Sequence, residues 1–466
     1  ADSIDQKLAQ AVEEKAAQPT FETMIRVVTS SDDFNRSKML VQDIVNGFAQ
    51  LALPGSSSFQ FVAAASQQQL ATDMIFRFFP TNRNKVILNS SELATIFHLP
   101  GSNLEIATPL ERKGLKEVSS PADIPEEGLV LGSNFFQGKE KVIRLTDKDR
   151  TRHMYILGQT GTGKSVLLSD LIVQDMMAGK GLCFIDPHGE VAEEIIAKVP
   201  PHRAEDVIYF NPADMAMPLG MNILETDPEH PEQKDFVIQE TLAMLYKMYD
   251  PNNQGFIGPR FEQWYRNSAL TVMADPAGAT FLEIPKPFLD DEFLKAKFKY
   301  VKDPTVQDFW INEMGQTSER DKSEMLGYFV SKWGAFQSNE TMRNIMGQHK
   351  SAFDFGKVMD TNKILIVNLS KGQVGELNAK YLGMIFVIKV LAAAFARSGR
   401  SKDQMPLFTL YVDEFQNFAT ESFATILSEA RKYNLCLIVA NQFIGQLTDE
   451  IKGAIFGNVG TLFTYR

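Results

Sequence analysis

Short apolar runs alternate with amphipathic segments along most of the chain, which is the pattern of a sheet covered by helices. From residue 129 onward the apolar runs predict strands at 129–136, 141–145, 153–157, 181–186, 206–210, 364–369, 407–412, 435–440 and 459–465. The first two are typical of a hairpin turned at Gln137-Gly138, and helical patterns separate the others. Since helical crossovers join parallel strands, we predict an α/β fold with a mainly parallel sheet and helices on both faces.

This strand pattern stops between residues 228 and 350, where amphipathic segments follow one another. Such segments occur at 236–248, 260–273 and 322–335, with proline and glycine between them. We therefore predict an all-α insertion at 228–350 that splits one α/β domain into 129–227, which begins with the hairpin, and 351–466.

The N-terminal part has a pattern of its own. Residues 1–20 are rich in Ala, Gln and Glu and predict a solvated helical lead-in. Residues 21–128 predict a small α+β domain, since short strand-like and helical runs alternate there. Its predicted strands are 23–28, 59–63 and 85–88, and its predicted helices are 33–51, 67–79 and 92–97. Ser91 is the predicted N-cap of the last helix.

Composition narrows the functional classes. A chain of 466 residues suggests two to four domains, at roughly 100 to 200 residues each. The formal net charge of −11 argues against a protein that coats nucleic acid over its whole surface, but it leaves room for a local basic channel. Cys183 and Cys436 both lie inside apolar runs, so neither a disulfide framework nor a zinc cluster is predicted, and a reducing cytoplasm fits.

The longest apolar stretch, 381–396, is interrupted by Lys389 and is shorter than the ~20 residues that span a bilayer, so it predicts a buried helix. The sequence begins at Ala1 without a signal-peptide pattern and stops at Arg466 directly after an apolar run. We therefore expect it to be a fragment of a longer chain, truncated at the C-terminal end.

Residues 158–165, GQTGTGKS, match the P-loop pattern G-x-x-x-x-G-K-[ST] between a predicted strand and a predicted helix. Free N–H groups at the start of such a helix attract phosphate, and the glycines keep the loop backbone open to it. Lys164 would reach the β- and γ-phosphates, and the Ser165 hydroxyl would hold Mg²⁺. The predicted nucleotide-binding residues are Gly158, Thr160, Gly161, Thr162, Gly163, Lys164 and Ser165. The alternative, a chance glycine-rich turn, is disfavoured by the flanking strand and helix.

Two carboxylates, Asp413 and Glu414, follow the apolar strand 407–412. A P-loop enzyme needs an acidic group at a strand end to hold the Mg²⁺ shell, so Asp413 is the candidate ligand. Glu414 suits the general base that polarises the attacking water. In a chain without a P-loop, such a pair would more often mark a turn. Gln442 closes the next strand after Asn441 and is a candidate γ-phosphate sensor, with a polar strand end as the alternative.

A third strand ends in Asp186, and we expect this strand beside the P-loop strand. The carboxylate there could face the catalytic pocket or cap the following helix, and the sequence favours neither. His188, close by, has no Cys or His at ligand spacing, which argues against a metal site.

Phosphoryl transfer calls for a basic side chain, often an arginine from a neighbouring subunit, and Arg466 is the first candidate. The other candidates are Arg260, Arg266 and Arg343, with an ordinary solvated role as the competing interpretation. Lys371 and Lys380, in and after a predicted flexible loop, could contact substrate phosphates, and a plain glycine turn is the alternative.

Four sequence blocks resemble the additional-strand P-loop ATPases of the FtsK and HerA class, and within it the ATPases of bacterial conjugation and type IV secretion. The blocks are HMYILGQTGTGKS at 153–165, FIDPHGE at 184–190, LYVDEFQNF at 410–418 and SEARKYNLCLIVANQ at 428–442. The helical insertion looks like that of TraG/TraD-type coupling proteins. By contrast, NSSELATIFHLP at 89–100 looks more like the leading domain of the secretion-channel ATPases.

The resemblance implies a RecA-like ATPase domain that uses ATP and Mg²⁺ and forms a homo-oligomer, a hexameric ring. It implies DNA, secretion-channel proteins and DNA-processing proteins as partners. The implied location is the cytoplasmic face of the bacterial inner membrane, reached through a segment missing from this sequence or through a partner. The residues that match the family's functional positions are Lys164, Ser165, Asp413, Glu414 and Gln442.

From these observations we predict an ATP-hydrolysing ring motor that translocates DNA or couples it to a secretion channel. One alternative is a channel-energising ATPase that drives assembly or protein export without pumping DNA. A second is a scaffold that binds nucleotide only to hold a ring together, and Glu414 argues against it because a scaffold needs no base.

Overall fold

The computed structural model describes residues 9, 12–52, 57–79, 85–97, 118–121, 123–227, 230–252, 254–420 and 423–465. The chain divides into two compact units, Ala1–Gly114 and Leu115–Arg466. This division lies N-terminal to the boundary predicted at 128/129, because residues 118–121 already bond to the hairpin that follows. The carbonyl of Val118 accepts from Asn134 at 3.3 Å, and the carbonyl of Pro121 accepts from Lys141 at 2.9 Å.

The first unit contains an antiparallel pair of strands, β1 (Thr20–Thr23) and β2 (Val86–Asn89). Its helices are α1 (Phe34–Gly47), α2 (Gln67–Ile75) and α3 (Ser90–Ile96). Helices α1 and α2 agree with the predicted positions but are shorter at one or both ends, whereas α3 begins before its predicted start at residue 92 and ends just before its predicted end at residue 97. Helix α3 is capped by Asn89 and not, as predicted, by Ser91. The Asn89 side chain accepts from the Glu92 N–H at 2.8 Å, and the Glu92 carboxylate accepts from the Asn89 N–H at 2.9 Å.

Two strand predictions in this unit are wrong. Residues 24–28 and 59–63 form no regular element, since no neighbouring strand pairs with them in the described part of the unit. Phe59 and Phe61 instead pack edge-on against Phe48, at ring-centroid distances of 5.6 and 5.1 Å. Apolar alternation alone therefore does not make a strand where aromatic side chains have a helix end to pack on.

The second unit begins with an antiparallel hairpin of β3 (Leu129–Phe136) and β4 (Lys139–Leu145). Its turn lies at Gln137 and Gly138, which have φ values of 50° and 76°, so the predicted hairpin is confirmed. Both positions need the left-handed region that a tight two-residue turn requires.

Seven parallel strands form the main sheet, which confirms the predicted α/β fold with a mainly parallel sheet. They are β5 (Met154–Leu157), β6 (Gly181–Asp186), β7 (Val207–Phe210), β8 (Ile364–Asn368), β9 (Phe408–Val412), β10 (Leu435–Asn441) and β11 (Thr461–Thr464), in the spatial order β11-β5-β10-β9-β6-β8-β7. Strands β10 and β9 lie between β5 and β6, so the expectation that β6 lies beside the P-loop strand is wrong. Every residue of β6, β8, β9 and β10 is buried, which explains their continuous apolar sequences.

Helices connect these strands. Those before β7 are α4 (Asp147–Arg150), α5 (Lys164–Met177) and α6 (Glu190–Ala197). Between β7 and β8 the described residues form helices and loops without a strand among them: α7 (Glu232–Tyr249), α8 (Pro259–Met273), α9 (Asp291–Phe298), α10 (Pro304–Asp308), α11 (Met314–Gln316), α12 (Glu319–Val330), α13 (Gly334–Ser338), α14 (Glu340–Met346) and α15 (Phe355–Asp360). After β8 follow α16 (Lys371–Val374), α17 (Glu376–Phe395), α18 (Phe423–Glu429) and α19 (Asp449–Asn458).

Alternate residues of the strands enter two separate apolar clusters, one on each face of the sheet. On one face, Leu410 and Val412 of β9 join α17 and helices from between β7 and β8. On the other face, Tyr411 joins α5 and α6. The strands that carry the candidate site are therefore fixed by apolar packing from both sides.

Helix α17 is long and apolar enough to cross a membrane, but 78% of its most apolar window is buried. The prediction of a buried helix over most of 381–396 is thus confirmed. Lys389, the charged residue in this stretch, is satisfied inside the core by donating to the carbonyl of Glu225 at 2.7 Å.

Candidate active site

Three neighbouring strands, β5, β10 and β9, bring the predicted site residues to one edge of the sheet. Leu157 at the end of β5 is in register with Asn441 of β10, and Val439 of β10 is in register with Val412 of β9. The P-loop, the pair Asp413-Glu414 and Gln442 each follow one of these strand ends. Ligands of open parallel sheets bind at this carboxyl edge.

The P-loop connects β5 to α5. Gly161 and Gly163 have φ values of 79° and 106°, which L side chains rarely adopt, and the glycines thus allow the turn that aims the first N–H groups of α5 at the loop centre. The Lys164 ammonium lies inside the loop and donates to the carbonyl of Gly158 at 2.7 Å. A β-carbon on Gly158 would lie 2.6 Å from the β-carbon of Tyr465, so glycine is also required there by close packing.

Asp413 follows β9 and is only 4% exposed. Burial, together with the charges of Glu414 and Asp186, raises the pKa of Asp413 to about 6. The raised pKa means that ionising this buried carboxyl group is unfavourable. A bound Mg²⁺ would compensate the negative charge, so the position of Asp413 suits a metal ligand. Asp413 and the exposed Ser165 hydroxyl are the residues of this chain that would hold the metal, with phosphate and water oxygens completing its shell.

The described residues include no group of three or more His, Cys, Asp or Glu side chains that could form a metal site on their own.

Glu414 is buried and has a left-handed backbone with a φ of 48°, which is strained for a residue other than glycine. Its Oε1 accepts from the Gln442 amide at 3.0 Å, and its Oε2 accepts from the Gln416 amide at 2.6 Å. The Lys164 ammonium lies 3.9 Å from the same Oε1. The candidate base is therefore held by two amides and faces the P-loop lysine.

Gln442 and Asn441, which are adjacent at the end of β10, have different partners. Asn441 is fully buried, accepts from the Tyr155 hydroxyl at 2.5 Å and donates to the carbonyl of Phe443 at 3.0 Å. These two hydrogen bonds hold the end of β10 to β5 and fix the backbone that follows it. Gln442, through its contact with Glu414, is the amide that reaches the candidate catalytic group.

Asp186 is fully buried, and its hydrogen bonds support the helix-capping interpretation. One carboxylate oxygen accepts from the His188 N–H at 2.8 Å, and the other accepts from the Ala192 N–H at 2.9 Å, inside α6. The His188 side chain is exposed. Asp186 still influences the site at a distance, because its charge contributes to the raised pKa of Asp413.

Among the described residues, the arginine candidates Arg260, Arg266 and Arg343 make no hydrogen bond or ion pair with the P-loop, Asp413, Glu414 or Gln442. Arg466 lies outside the described residues, so its role stays a prediction. Arg260, Arg266 and Arg343 are exposed; Arg266 lies 3.9 Å from Asp235, and Arg343 donates to the carbonyl of Gln337 at 2.7 Å. The solvated interpretation fits these contacts.

Of the two lysine candidates, Lys371 lies just before helix α17 and Lys380 lies on it. Lys371 begins the short helix α16, so the predicted flexible loop is in fact one helical turn. Lys380 pairs with Glu376 at 2.9 Å one turn away on α17, which is ordinary i,i+4 pairing. Contact of either lysine with a substrate stays a prediction.

Two residues near Glu414 were not predicted as site residues. Gln416 had a local signal, since a polar side chain two positions after a candidate base is close enough to reach it. Lys247 had none, because it comes from helix α7, far away in sequence, and donates to the carbonyls of Gln416 and Ala419.

Comparison with known proteins identifies a family for part of this chain. Residues 137–374, just over half of the 466 residues, match the family described as the central domain of the helicase HerA. The matched range contains the P-loop and ends before Asp413, Glu414 and Gln442. No curated protein matches the chain.

Several solved structures are similar to this one. The plasmid coupling protein TrwB in complex with ADP and Mg²⁺ is 17% identical, with 72% of this chain and 74% of that chain covered and a TM-score of 0.47. TrwB with a non-hydrolysable ATP analogue is 16% identical, with the same coverages of 72% and 74% and a TM-score of 0.48. VirB4 of Thermoanaerobacter pseudethanolicus is 18% identical, with 73% of this chain and 84% of that chain covered and a TM-score of 0.46. At such identities and TM-scores, these likenesses assign neither a substrate nor a partner to this chain.

Proposed function

The chain belongs to the family of the HerA helicase central domain, and on that premise we propose that it is the ATP-hydrolysing ring motor of a conjugative or type IV secretion system. Membership of this family makes the protein a P-loop ATPase whose cofactors are ATP and Mg²⁺. The motor translocates DNA or couples a DNA substrate to the secretion channel.

One observation carries the proposal: Lys164, Glu414 and Gln442 meet at the carboxyl edge of the sheet. The Glu414 carboxylate lies 3.9 Å from the Lys164 ammonium and 3.0 Å from the Gln442 amide. A site that only binds phosphate has no need of a buried carboxylate directed at its lysine. A hydrolase does, because the attacking water needs a base next to the γ-phosphate.

We assign roles to the residues as follows. Lys164 and the P-loop N–H groups bind the phosphates and compensate their charge, while Ser165 and Asp413 would hold Mg²⁺, which polarises the phosphate oxygens. Glu414 accepts the proton of the attacking water, and Gln442 reports the γ-phosphate to it. The transition-state arginine comes from a neighbouring subunit, with Arg466 as the first candidate, so the complete site requires an oligomer. We propose a hexameric ring.

We propose DNA as the transported substrate, because the four sequence blocks resemble those of conjugative ATPases. Secretion-channel and DNA-processing proteins are the proposed partners, and the proposed location is the cytoplasmic face of the inner membrane. Helix α17 is mostly buried in the core, so we propose anchoring through a partner or through chain outside this sequence.

A salt-titrated hydrolysis assay with and without single-stranded DNA tests the proposed substrate. DNA is expected to raise turnover several-fold at low ionic strength, with the effect fading as salt rises because phosphate contacts release counterions. Lys164→Ala should abolish both basal and stimulated turnover. Hydrolysis that DNA does not change, with no DNA binding at low salt, would contradict the DNA motor.

A second function is favoured by residues 89–97, which belong to the block that resembles the leading domain of secretion-channel ATPases. In the structure these residues form the strand end and the capped helix α3 of the first unit. In this case the protein hydrolyses ATP to drive assembly or protein export without pumping DNA. Co-purification with inner-membrane channel proteins, together with turnover that DNA leaves unchanged, would favour it.

A further inference from the structure

The segment that follows Glu414 is fixed by residues outside the nucleotide site. Glu414 leads into a short helical turn, Phe415–Asn417, and the segment 415–420 then runs along helices α7 and α17. A β-carbon on Gly383 of α17 would lie 2.2 Å from the ring of Phe418, so this ring packs directly on the helix backbone. The side chains of Thr420 and Glu240 of α7 are 3.3 Å apart and hydrogen-bonded.

Lys247 of α7 makes the most specific of these contacts. Its ammonium donates to the backbone carbonyl of Gln416 at 2.9 Å and also to that of Ala419. Gln416 lies within the turn and Ala419 lies two residues after it, so a single side chain holds both the turn and the segment that leaves it. Burial, with a smaller contribution from Lys380, lowers the pKa of Lys247 to about 8. The charged form of the lysine is therefore less favourable here than in water.

The same turn positions the candidate base. The side chain of Gln416, whose carbonyl is held by Lys247, donates to Oε2 of Glu414 at 2.6 Å. An unbroken chain of contacts thus runs from an insertion helix, through one backbone residue, to the carboxylate. It reaches Glu414 on the oxygen that is not bonded to Gln442.

We propose that Lys247 is a positioning residue for Glu414: it fixes the Gln416 turn, and the Gln416 amide in turn holds the carboxylate in its orientation toward the P-loop. Helix α7 is the first helix of the predicted insertion, so a shift of this helix would move the turn that holds the base. The inference rests on the proposed role of Glu414 in hydrolysis.

The physical basis is geometric. A base that is misplaced by about 1 Å can lose on the order of 10²-fold in rate, whereas phosphate binding by the P-loop does not depend on it. Removing the Lys247 ammonium releases two backbone carbonyls and lets the turn relax. The expected signature is a loss in kcat without a matching loss in nucleotide affinity.

Lys247→Met tests the inference, because methionine keeps much of the length and loses the charge. In steady-state hydrolysis we expect kcat to fall at least about tenfold, while the Kd for a non-hydrolysable ATP analogue stays within about twofold. The matched control is Lys389→Met, which removes a lysine that likewise donates to a backbone carbonyl, that of Glu225, on the same side of the sheet. The control should keep kcat.

Gln416→Leu distinguishes positioning from a general loss of folding. It removes only the amide contact to Glu414 and leaves the carbonyl that binds Lys247. If Lys247 acts through Gln416, the double variant should be no slower than the slower single variant, within about twofold. Multiplicative losses would overturn the inference, as would equal effects of Lys247→Met and Lys389→Met on kcat.

Hydrolysis by the parent protein distinguishes a failure of the positioning role from a failure of the proposed function. Hydrolysis by the parent with unchanged kcat in Lys247→Met overturns the positioning role alone. Absence of hydrolysis by the parent would contradict the proposed function, and the positioning role with it.

Discussion

The side-chain amide of Gln442 donates to Oε1 of Glu414 at 3.0 Å and so connects the ends of two neighbouring strands, β10 and β9. The Lys164 ammonium lies 3.9 Å from the same oxygen. The two donors expected to meet a γ-phosphate are thus both directed at the candidate base. A phosphate that takes these donors would leave the carboxylate to the attacking water, which couples nucleotide occupancy to activation of the base.

Glu414→Gln is predicted to lower kcat by about 10²- to 10⁴-fold, because a general base contributes that much to a proton transfer. Nucleotide affinity should stay within about threefold, since the side chain keeps its size and the P-loop is untouched. Phosphate release and equilibrium binding of a fluorescent nucleotide measure the two quantities on the same preparation. A variant that hydrolyses ATP at the parent rate would remove Glu414 from the mechanism.

Gln442→Ala is predicted to lower kcat about tenfold, through loss of the amide that orients Glu414. Asn441→Ala is the informative neighbour: it breaks the bonds to Tyr155 and Phe443, and should act mainly on stability. Turnover and thermal unfolding of both variants separate the two roles. If Gln442→Ala turns over like the parent, the amide is only a polar strand end.

The strands around the site could be predicted from sequence because β6, β8, β9 and β10 are buried on both faces and read as continuous apolar runs. The order of the strands in the sheet could not be predicted, since no local signal shows that β9 and β10 lie between β5 and β6. The strands of the first unit were harder to predict. Residues 59–63 have the alternation of a strand, yet Phe59 and Phe61 pack on Phe48. Lys247 was missed because its contacts arise from tertiary packing.

Asp186→Ala tests whether this carboxylate is a helix cap. It removes the acceptor for the N–H groups of His188 and Ala192, and should reduce the free energy of unfolding by about 1–3 kcal/mol. The turnover of the folded fraction should stay within about threefold of the parent. Denaturant unfolding and hydrolysis at a temperature well below the transition measure both. A 100-fold loss of turnover with unchanged stability would instead place Asp186 in the catalytic pocket.

His153 makes folding stability dependent on pH. Its ring is buried, Nε2 lies 2.9 Å from the carbonyl of Leu427, and Nδ1 accepts from the Leu437 N–H at 3.2 Å. Burial, with the Arg431 charge, lowers the pKa of His153 to about 4. Below pH ~6.5 this histidine therefore binds a proton in the unfolded chain but stays neutral in the folded protein. The contribution of His153 to the free energy of unfolding is present above that pH and is lost as the pH falls toward 4.

His153→Asn is predicted to flatten this dependence, since asparagine does not titrate and tolerates the left-handed backbone at φ 65°. The His153 contribution between pH 7 and pH 5 is about 2 kcal/mol, and denaturant unfolding at the two pH values measures it. His188→Asn, at an exposed position, serves as the control and should keep the parent's pH dependence. Equal slopes for the parent and His153→Asn would show that His153 is not the titrating group.

Mg²⁺-dependent phosphate release from ATP, measured for the parent protein and for Lys164→Ala, tests whether this P-loop site hydrolyses ATP. Lys164 is the ammonium at the centre of the P-loop, 2.7 Å from the Gly158 carbonyl and 3.9 Å from Glu414. We expect release that requires Mg²⁺ in the parent and is lost in the variant, which should still fold. Release that persists unchanged in Lys164→Ala, or a folded parent that neither binds nor hydrolyses ATP, would contradict this expectation.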